Sequence, residues 1–289
     1  MALPRIRPPL LAILALLAAA CSDAPQPPAP EPEVVETASG IPMVLVPAGE
    51  FTMGDADGEE DEQPPHLVRL SAFLIDQHEV TQRDYQRLMG KNPSKHVGPD
   101  RPAEQVTWRD ATRFCNMRSL REGLQPCYQA ATLECDFAAS GYRLPTEAEW
   151  ERACRAGTAS RYSFGDAPAR LPDHGWFKAN AAGTTHPVAT KQPNPLGLFD
   201  LHGGVAEWCH DRYREDYGDD DAPETNPTGP PEGDERVLRG GSWRSSAQAC
   251  RSAARGKEAP GFSDTCFQRD AIGFRCVRSA PLPPTAPTH

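Results

Sequence analysis

Apolar and polar positions alternate between two regimes along this chain. Ile41 to Gly54, IPMVLVPAGEFTMG, runs apolar, breaks at Pro-Ala-Gly and resumes, which predicts strand, turn, strand. Leu67 to Asp76, LVRLSAFLID, predicts a further strand. Three segments then share one device, a threonine followed three residues on by an acid, ahead of a helical run. Thr81 and Asp84 open a short helix that Gly90 stops; Thr107 and Asp110 open one stopped by Gly123; Thr146 and Glu149 open one stopped by Gly157. From 160 to 278 the chain is rich in Gly, Pro, Asn and Asp and predicts short strands joined by long ordered loops. The fold class is therefore α+β, loop-rich and low in regular secondary structure.

The first residues follow another logic. Arg5 and Arg7 precede an apolar run from Leu10 to Ala20, and the small residues Ala18 to Ala20 precede Cys21. Residues 1–20 read as a secretory signal peptide. A cysteine directly after the small residues resembles a bacterial lipobox, which implies cleavage before Cys21, its lipidation and a membrane partner through the lipid. Ser22 after the cysteine favours the outer membrane, so the expected location is the cell envelope of a Gram-negative bacterium. No apolar stretch reaches the roughly 18–20 residues a spanning helix needs. Residues 21–39 carry Pro25, Pro27, Pro28, Pro30 and Pro32 among acids and read as a semi-rigid spacer. Residues 40–279 form the folded domain, and 280–289 read as a disordered tail.

Composition narrows the partners. The 289 residues hold 30 Lys+Arg against 40 Asp+Glu, a formal charge of −10. Nucleic-acid binding needs a basic face and is excluded as an expectation. The 31 prolines disfavour long helices. Nine cysteines less Cys21 leave eight, an even number in an oxidising compartment, so up to four disulfides are open. Spacing does not choose the connectivity, although Cys127 and Cys135 are placed to close a local hairpin loop. There is no CxxC or HExxH motif. Asp55 to Glu62 is an acidic loop, read as solvated, with calcium ligation as the sharper alternative.

GYRLPTEAEWERACRAG (141–157), GLFDLHGGVAEW (197–208), RVLRGGSW (236–243), CRSAAR (250–255) and IGFRC (272–276) stand in that order. FTMG (51–54), EVTQRDY (79–85) and QVTWRDATRFC (105–115) precede them. This set, from about 43 to 278, resembles the formylglycine-generating enzyme, or sulfatase-modifying-factor, family. The resemblance implies a variant of the C-type-lectin-like fold. Members of that family oxidise a sulfatase cysteine with copper and oxygen, form carbon–sulfur bonds in ergothioneine synthesis with non-haem iron, or mature a siderophore chromophore in the periplasm. Fold is therefore better specified than function.

Carried over residue by residue, the resemblance implies Cys250 and Ser242 as candidate catalytic residues. The copper enzymes hold soft Cu(I) between two thiolates, at positions occupied here by Ser245 and Cys250. A hydroxyl is a hard, weak ligand, so copper is not expected. Iron is not expected either: the ergothioneine type needs an extra histidine-bearing helical domain, and His202 and His210 make no such set. Structural calcium is implied at Asp200 and Glu207 with the carbonyls of Gly203 and Val205, hard oxygen donors on a Gly-rich turn. Gly204 and Ala206 stand where the family has Asn and Trp. A further calcium site would use Asn180. The implied disulfides are Cys115–Cys276 and Cys154–Cys250; with Cys127–Cys135 as the local pair, elimination leaves Cys209–Cys266. Trp150 is expected in the core, and Arg143, Arg239 and Arg275 are expected to brace loops through carbonyls. The expected function is a non-catalytic binding or assembly module on a lipid anchor, for an unidentified protein or small-molecule ligand. The alternative is a metal-dependent oxidative enzyme acting on a peptide or small molecule in the periplasm.

Overall fold

The computed structural model describes residues 32–218, 223–261 and 269–280. The signal peptide, Cys21, most of the spacer, Cys266 and residues 281–289 lie outside the described residues. Eleven strands are described: β1 (Val34–Glu36), β2 (Pro42–Val46), β3 (Gly49–Met53), β4 (His66–Leu70), β5 (Phe73–Asp76), β6 (Ala206–Arg212), β7 (Glu224–Thr225), β8 (Arg236–Arg239), β9 (Arg255–Glu258), β10 (Ile272–Gly273) and β11 (Val277–Ser279). Four helices accompany them: α1 (Gln82–Met89), α2 (Trp108–Arg121), α3 (Glu147–Arg155) and the single turn α4 (Leu171–His174). The strands form three sheets, ordered β1-β2-β5-β11, β10-β6-β8-β9 and β3-β4-β7.

The two expected strand segments each divide between sheets. The Pro47–Ala48 break sends β2 into the first sheet and β3 into the third. Leu67 to Asp76 breaks at Ser71–Ala72 into β4, paired with β3, and β5, paired with β2. Each apolar run thus serves two sheets, and Asn226 Oδ1 accepts the Ser71 N–H at 2.8 Å beside the second break. Within the expected spacer, Val34–Glu36 pairs antiparallel with Pro42–Val44, so order begins earlier than the proline content suggested.

The three helix starts follow their sequence signals. Thr81, Thr107 and Thr146 are the N-caps, each accepting a backbone N–H from the residue three positions on. At α3 the box is complete, because Glu149 Oε2 also accepts the Thr146 N–H at 2.9 Å. Gly90, φ 75°, ends α1 in the left-handed region where a glycine has no Cβ penalty. At α3 that position is Ala156, φ 51°, one residue ahead of the expected Gly157.

Arginine fills space that other domains give to hydrocarbon. Arg118, Arg239, Arg251 and Arg275 are fully buried beside Trp108, Trp150 and Trp208. Each meets a carboxylate: Arg118 with Asp76 at 2.7 Å, Arg239 with Glu147 at 3.0 Å and Glu151 at 2.5 Å, Arg251 with Glu62 at 2.5 Å, Arg275 with Glu207 at 2.7 Å. Glu62 closes the acidic loop, so that loop is anchored inward by Arg251 rather than wholly solvated. Arg239 also donates to the Ser252 and Ala253 carbonyls, and Arg275 to those of Asp76 and Phe199, the bracing the sequence implied. Truncating one partner leaves a buried charge uncompensated. Arg239→Met should cost about 3–5 kcal/mol, and Thr146→Ala about 1 kcal/mol, in the free energy of urea unfolding; equal midpoints for wild type and Arg239→Met would show that the network carries no such weight.

Candidate functional site

The RGGSW segment turns directly out of β8. Gly241, φ 69°, could not carry a side chain: a Cβ there would lie 2.7 Å from the Ala249 carbonyl oxygen and 2.8 Å from Cys250 Sγ. The hydroxyls of this turn serve its own backbone. Ser245 Oγ accepts the Ser242 N–H at 2.9 Å and lies 3.2 Å from Ser242 Oγ, which accepts the Arg244 N–H at 3.3 Å. Ser242 is therefore a turn-capping residue in this geometry.

Cys250 is fully buried, packed with Tyr162, Leu171 and Phe177, and burial pushes its thiol up to about 12. Its carbonyl accepts from His202 Nδ1 at 2.8 Å, while His202 Nε2 accepts the Ser163 N–H at 3.1 Å. That N–H fixes Nε2 as the acceptor and places the proton on Nδ1. Burial pulls this imidazole down to about 4. Cys154, also raised to about 12 by burial, faces Ser252 Oγ at 3.6 Å and His202 Nε2 at 3.8 Å. The residue opposite Cys154 is thus Ser252, two positions beyond the expected Cys250. Both Cys154 and Cys250 are free thiols. Cys115 and Cys276 are in contact as thiols, Sγ to Sγ 3.7 Å, and the Cys135 thiol donates to Cys127. Cys209 is a buried thiol.

This donor set does not fit Cu(I). The metal needs two thiolates that approach freely; here one position is a hydroxyl held in a turn, and the other is a protonated, enclosed thiol. No step through copper follows from this geometry.

The calcium loop is a different case. Glu207 is buried and bidentate with Arg275, and Oε2 also accepts from Trp150 Nε1 at 3.0 Å. Asp200, φ 61°, accepts the Ala189 N–H at 2.7 Å. A third acid, Glu79, was not singled out in the sequence. It accepts the Val205 N–H at 2.7 Å, and a Cβ on Gly204 would strike its Oε1 at 2.4 Å. Burial first, then the charges of Asp200 and Glu207, raise Glu79 well above the usual carboxylate range. Three buried acids thus lie around one guanidinium that bonds Glu207 alone, at the loop where the resemblance implies calcium. Among the described residues no three His, Cys, Asp or Glu side chains converge enough to hold a metal alone, so any such ion would depend on the Gly203 and Val205 carbonyls beside Glu79 and Asp200. Asn180 is committed elsewhere: Oδ1 accepts the Phe177 N–H and Nδ2 donates to the Gly175 carbonyl.

Beyond Ser242 the chain builds a polar and aromatic face. Trp243 Nε1 donates to the Asp270 carbonyl at 2.9 Å, and Arg244 stacks over the Trp243 ring at 4.2 Å. Arg244 and Lys95 both reach Asp270 Oδ2 at 2.7 Å. The His96 ring meets Trp243 edge-on at 5.2 Å, and the His96 backbone N–H donates to Glu104 Oε1 at 2.7 Å. Burial pushes the Glu104 carboxyl up to about 7. His96 Nε2, Glu104 Oε2 and Asp270 Oδ1 are buried without a hydrogen-bond partner. Nearby, Trp176 stacks on His186 at 3.8 Å beneath the Lys191 ammonium. The sequence held no periodic signal for these residues, because loops far apart along the chain bring them together.

With fold and site described, the comparisons are specific. The chain belongs to the Sulfatase-modifying factor enzyme 1-like domain family, matched over residues 28–280. It is 36% identical to the serine/threonine-protein kinase pkn1 of Chlamydia pneumoniae over 87% of this chain but only 39% of that protein's length. It is 33% identical to the chaperone protein LppX of Paenibacillus barcinonensis, covering 82% of this chain and 89% of that one. It is 32% identical to the formylglycine-generating enzyme of Streptomyces coelicolor, covering 83% and 90%. Among solved structures, Treponema denticola variable protein 1 superposes with a TM-score of 0.77 at 33% identity, covering 87% of this chain and all of that one. PvdO from Pseudomonas aeruginosa gives 0.70 at 26% identity, covering 86% and 98%.

The neutral His202 has a measurable consequence. Its folded pKa lies near 4, below the unfolded value of about 6.5. The unfolded chain binds the extra proton between these values, so stability rises with pH across that window and is lost as pH falls toward 4. His202→Gln should therefore lose about 3 kcal/mol of the wild-type difference in unfolding free energy between pH 7 and pH 4. Parallel pH profiles for the two proteins would remove His202 as the cause.

Proposed function

We propose that this chain is a lipid-anchored binding or assembly module of the bacterial cell envelope, and not a copper-dependent formylglycine-generating enzyme. The observation that carries this reading is the pair Ser245 and Cys250: a hydroxyl tied into a turn and a buried thiol raised to about 12. What remains at that end for recognition is the exposed pair Arg244 and Lys95, both held by the buried Asp270, with the buried Trp243 packed on Arg244 and His96. The net charge of −10 argues for a protein or small-molecule ligand over nucleic acid. A relative of similar length bears the name of a chaperone, LppX, which agrees with an assembly role. The lipid anchor rests on Cys21 and its preceding signal. Among the described residues no helix is long and apolar enough to cross a membrane.

A structural calcium ion belongs to the same reading, held by Glu79 and Asp200 with the Gly203 and Val205 carbonyls while Glu207 stays with Arg275. It would offset the surplus negative charge of the loop and set its shape.

Titration of the purified protein with Cu(I) against a competing chelator, followed by oxygen uptake with a cysteine-containing peptide, tests the main reading. The expected result is no stoichiometric high-affinity copper and no uptake above buffer; one tightly held copper with peptide-dependent uptake would restore the oxidative enzyme. Chelation by EGTA should lower the thermal midpoint, and added calcium should restore it; an unchanged midpoint would dismiss the ion. Palmitate labelling should mark the wild-type chain and not Cys21→Ala, and labelling of both would dismiss the anchor.

A further inference from the structure

The arginines of the α3 network meet carboxylates, with one exception. Arg143 meets Glu149, Arg155 meets Glu151, Arg239 meets Glu147 and Glu151, and Arg255 meets Glu147. Arg152, in the middle of the same helix sequence, meets none. Its Nη2 donates to the Pro47 carbonyl at 2.6 Å, and its Nη1 is buried without a partner. Burial lowers its pKa, and no neighbouring anion opposes that shift. A partly desolvated guanidinium without a counter-charge is costly to maintain, and an anion placed against it recovers that cost.

Arg152 also lines a cavity of about 370 Å³ between β3 and the C-terminal end of α3. Val46, Phe51, Ala156 and Leu196 give this cavity apolar walls. The acid on its wall, Glu50, is already engaged with Arg69 at 2.5 Å. Backbone space is kept open for the guanidinium: a Cβ on Gly49 would stand 2.8 Å from Arg152 Nη2. The lining of the cavity includes no residue of the RGGSW turn. The copper and calcium questions therefore do not bear on it.

We propose that this cavity binds a small carboxylate with an apolar body, its charged end against the Arg152 guanidinium and its hydrocarbon against Phe51, Val46 and Leu196. A carboxylate matches the planar fork of arginine better than a spherical ion does. The apolar walls select against small inorganic anions, which would leave them unfilled. Two natural sources share this chemistry: a short-chain fatty acid, and the C-terminal residue of a peptide ending in an apolar side chain.

Isothermal titration of the full chain with hexanoate and with N-acetyl-leucine tests the proposal and separates the sources. Hexanamide and inorganic phosphate serve as the uncharged and the non-apolar controls. Saturable binding of at least one carboxylate is expected, with neither control binding comparably. Stronger binding of hexanoate points to the fatty acid, and stronger binding of N-acetyl-leucine to the peptide terminus. Arg152→Met should weaken the carboxylate at least about tenfold, the scale of one charge-assisted pair, while its thermal midpoint stays equal to or above wild type, because a charge without a counter-charge has been removed. If that variant does not fold, Arg152→Gln takes its place. The proposal is overturned if neither carboxylate binds saturably, if hexanamide or phosphate binds equally well, or if a folded Arg152 variant keeps wild-type affinity.

Discussion

The structure depends on the burial of α3 among arginines. A nine-residue helix is too short to persist alone, and this one exposes almost none of its surface. Glu147 and Glu151 lie one turn apart and both receive Arg239 from β8, while Arg255 from β9 adds a second cation to Glu147 and Arg155 a second to Glu151. Trp150 crosses to Glu207 on β6, which Arg275 holds from the far end of the chain. Charges of this kind are expensive to bury, and only their full mutual pairing makes the interior tolerable. The loops between short strands are thereby fixed by hydrogen bonds to guanidinium forks instead of by long ladders.

Much of this scaffold was legible in the sequence because its signals are local. A threonine three residues before an acid, then a glycine, states where α1 begins and ends without reference to the rest of the molecule. The breaks within Ile41–Gly54 and Leu67–Asp76 were less legible. Apolar runs look alike whether a strand stays in one sheet or bends into the next, and the partner that decides it, such as Asn226 beside Ser71, is far away in sequence. The site was hardest for the same reason. The RGGS turn identified Ser242, Ser245 and Cys250, yet Glu79, Glu104 and Asp270 gain their meaning only from three-dimensional neighbours. Ser252, which meets Cys154, carries no signal of its own in the motif.

Chemistry and architecture separate cleanly in this domain. The family scaffold, its caps, glycine turns and paired arginines, is retained. At the end of the RGGSW turn the chain places a hydroxyl, Ser245, and a buried thiol, Cys250. Burial also silences the groups that remain: the imidazole of His202 is held neutral and the thiols of Cys154 and Cys250 protonated. Arg244 and Lys95 are the exposed cations at the far end of that turn, both held by the buried Asp270.

The short strand β1 gives the domain a mechanical property. It contributes three residues at the edge of its sheet, with only Val35 partly buried. Immediately after it the chain is gripped: Arg118 holds Ser39 Oγ at 3.1 Å and Ile41 is fully buried. Tension applied from the N-terminal side would peel β1 one residue pair at a time and then halt at Ser39–Ile41. Residues 34–36 would pass from sheet to leader, lengthening it by about 10 Å at the extended rise per residue. The domain would thus yield a measured length of slack under load while its sheets and arginine network stayed whole.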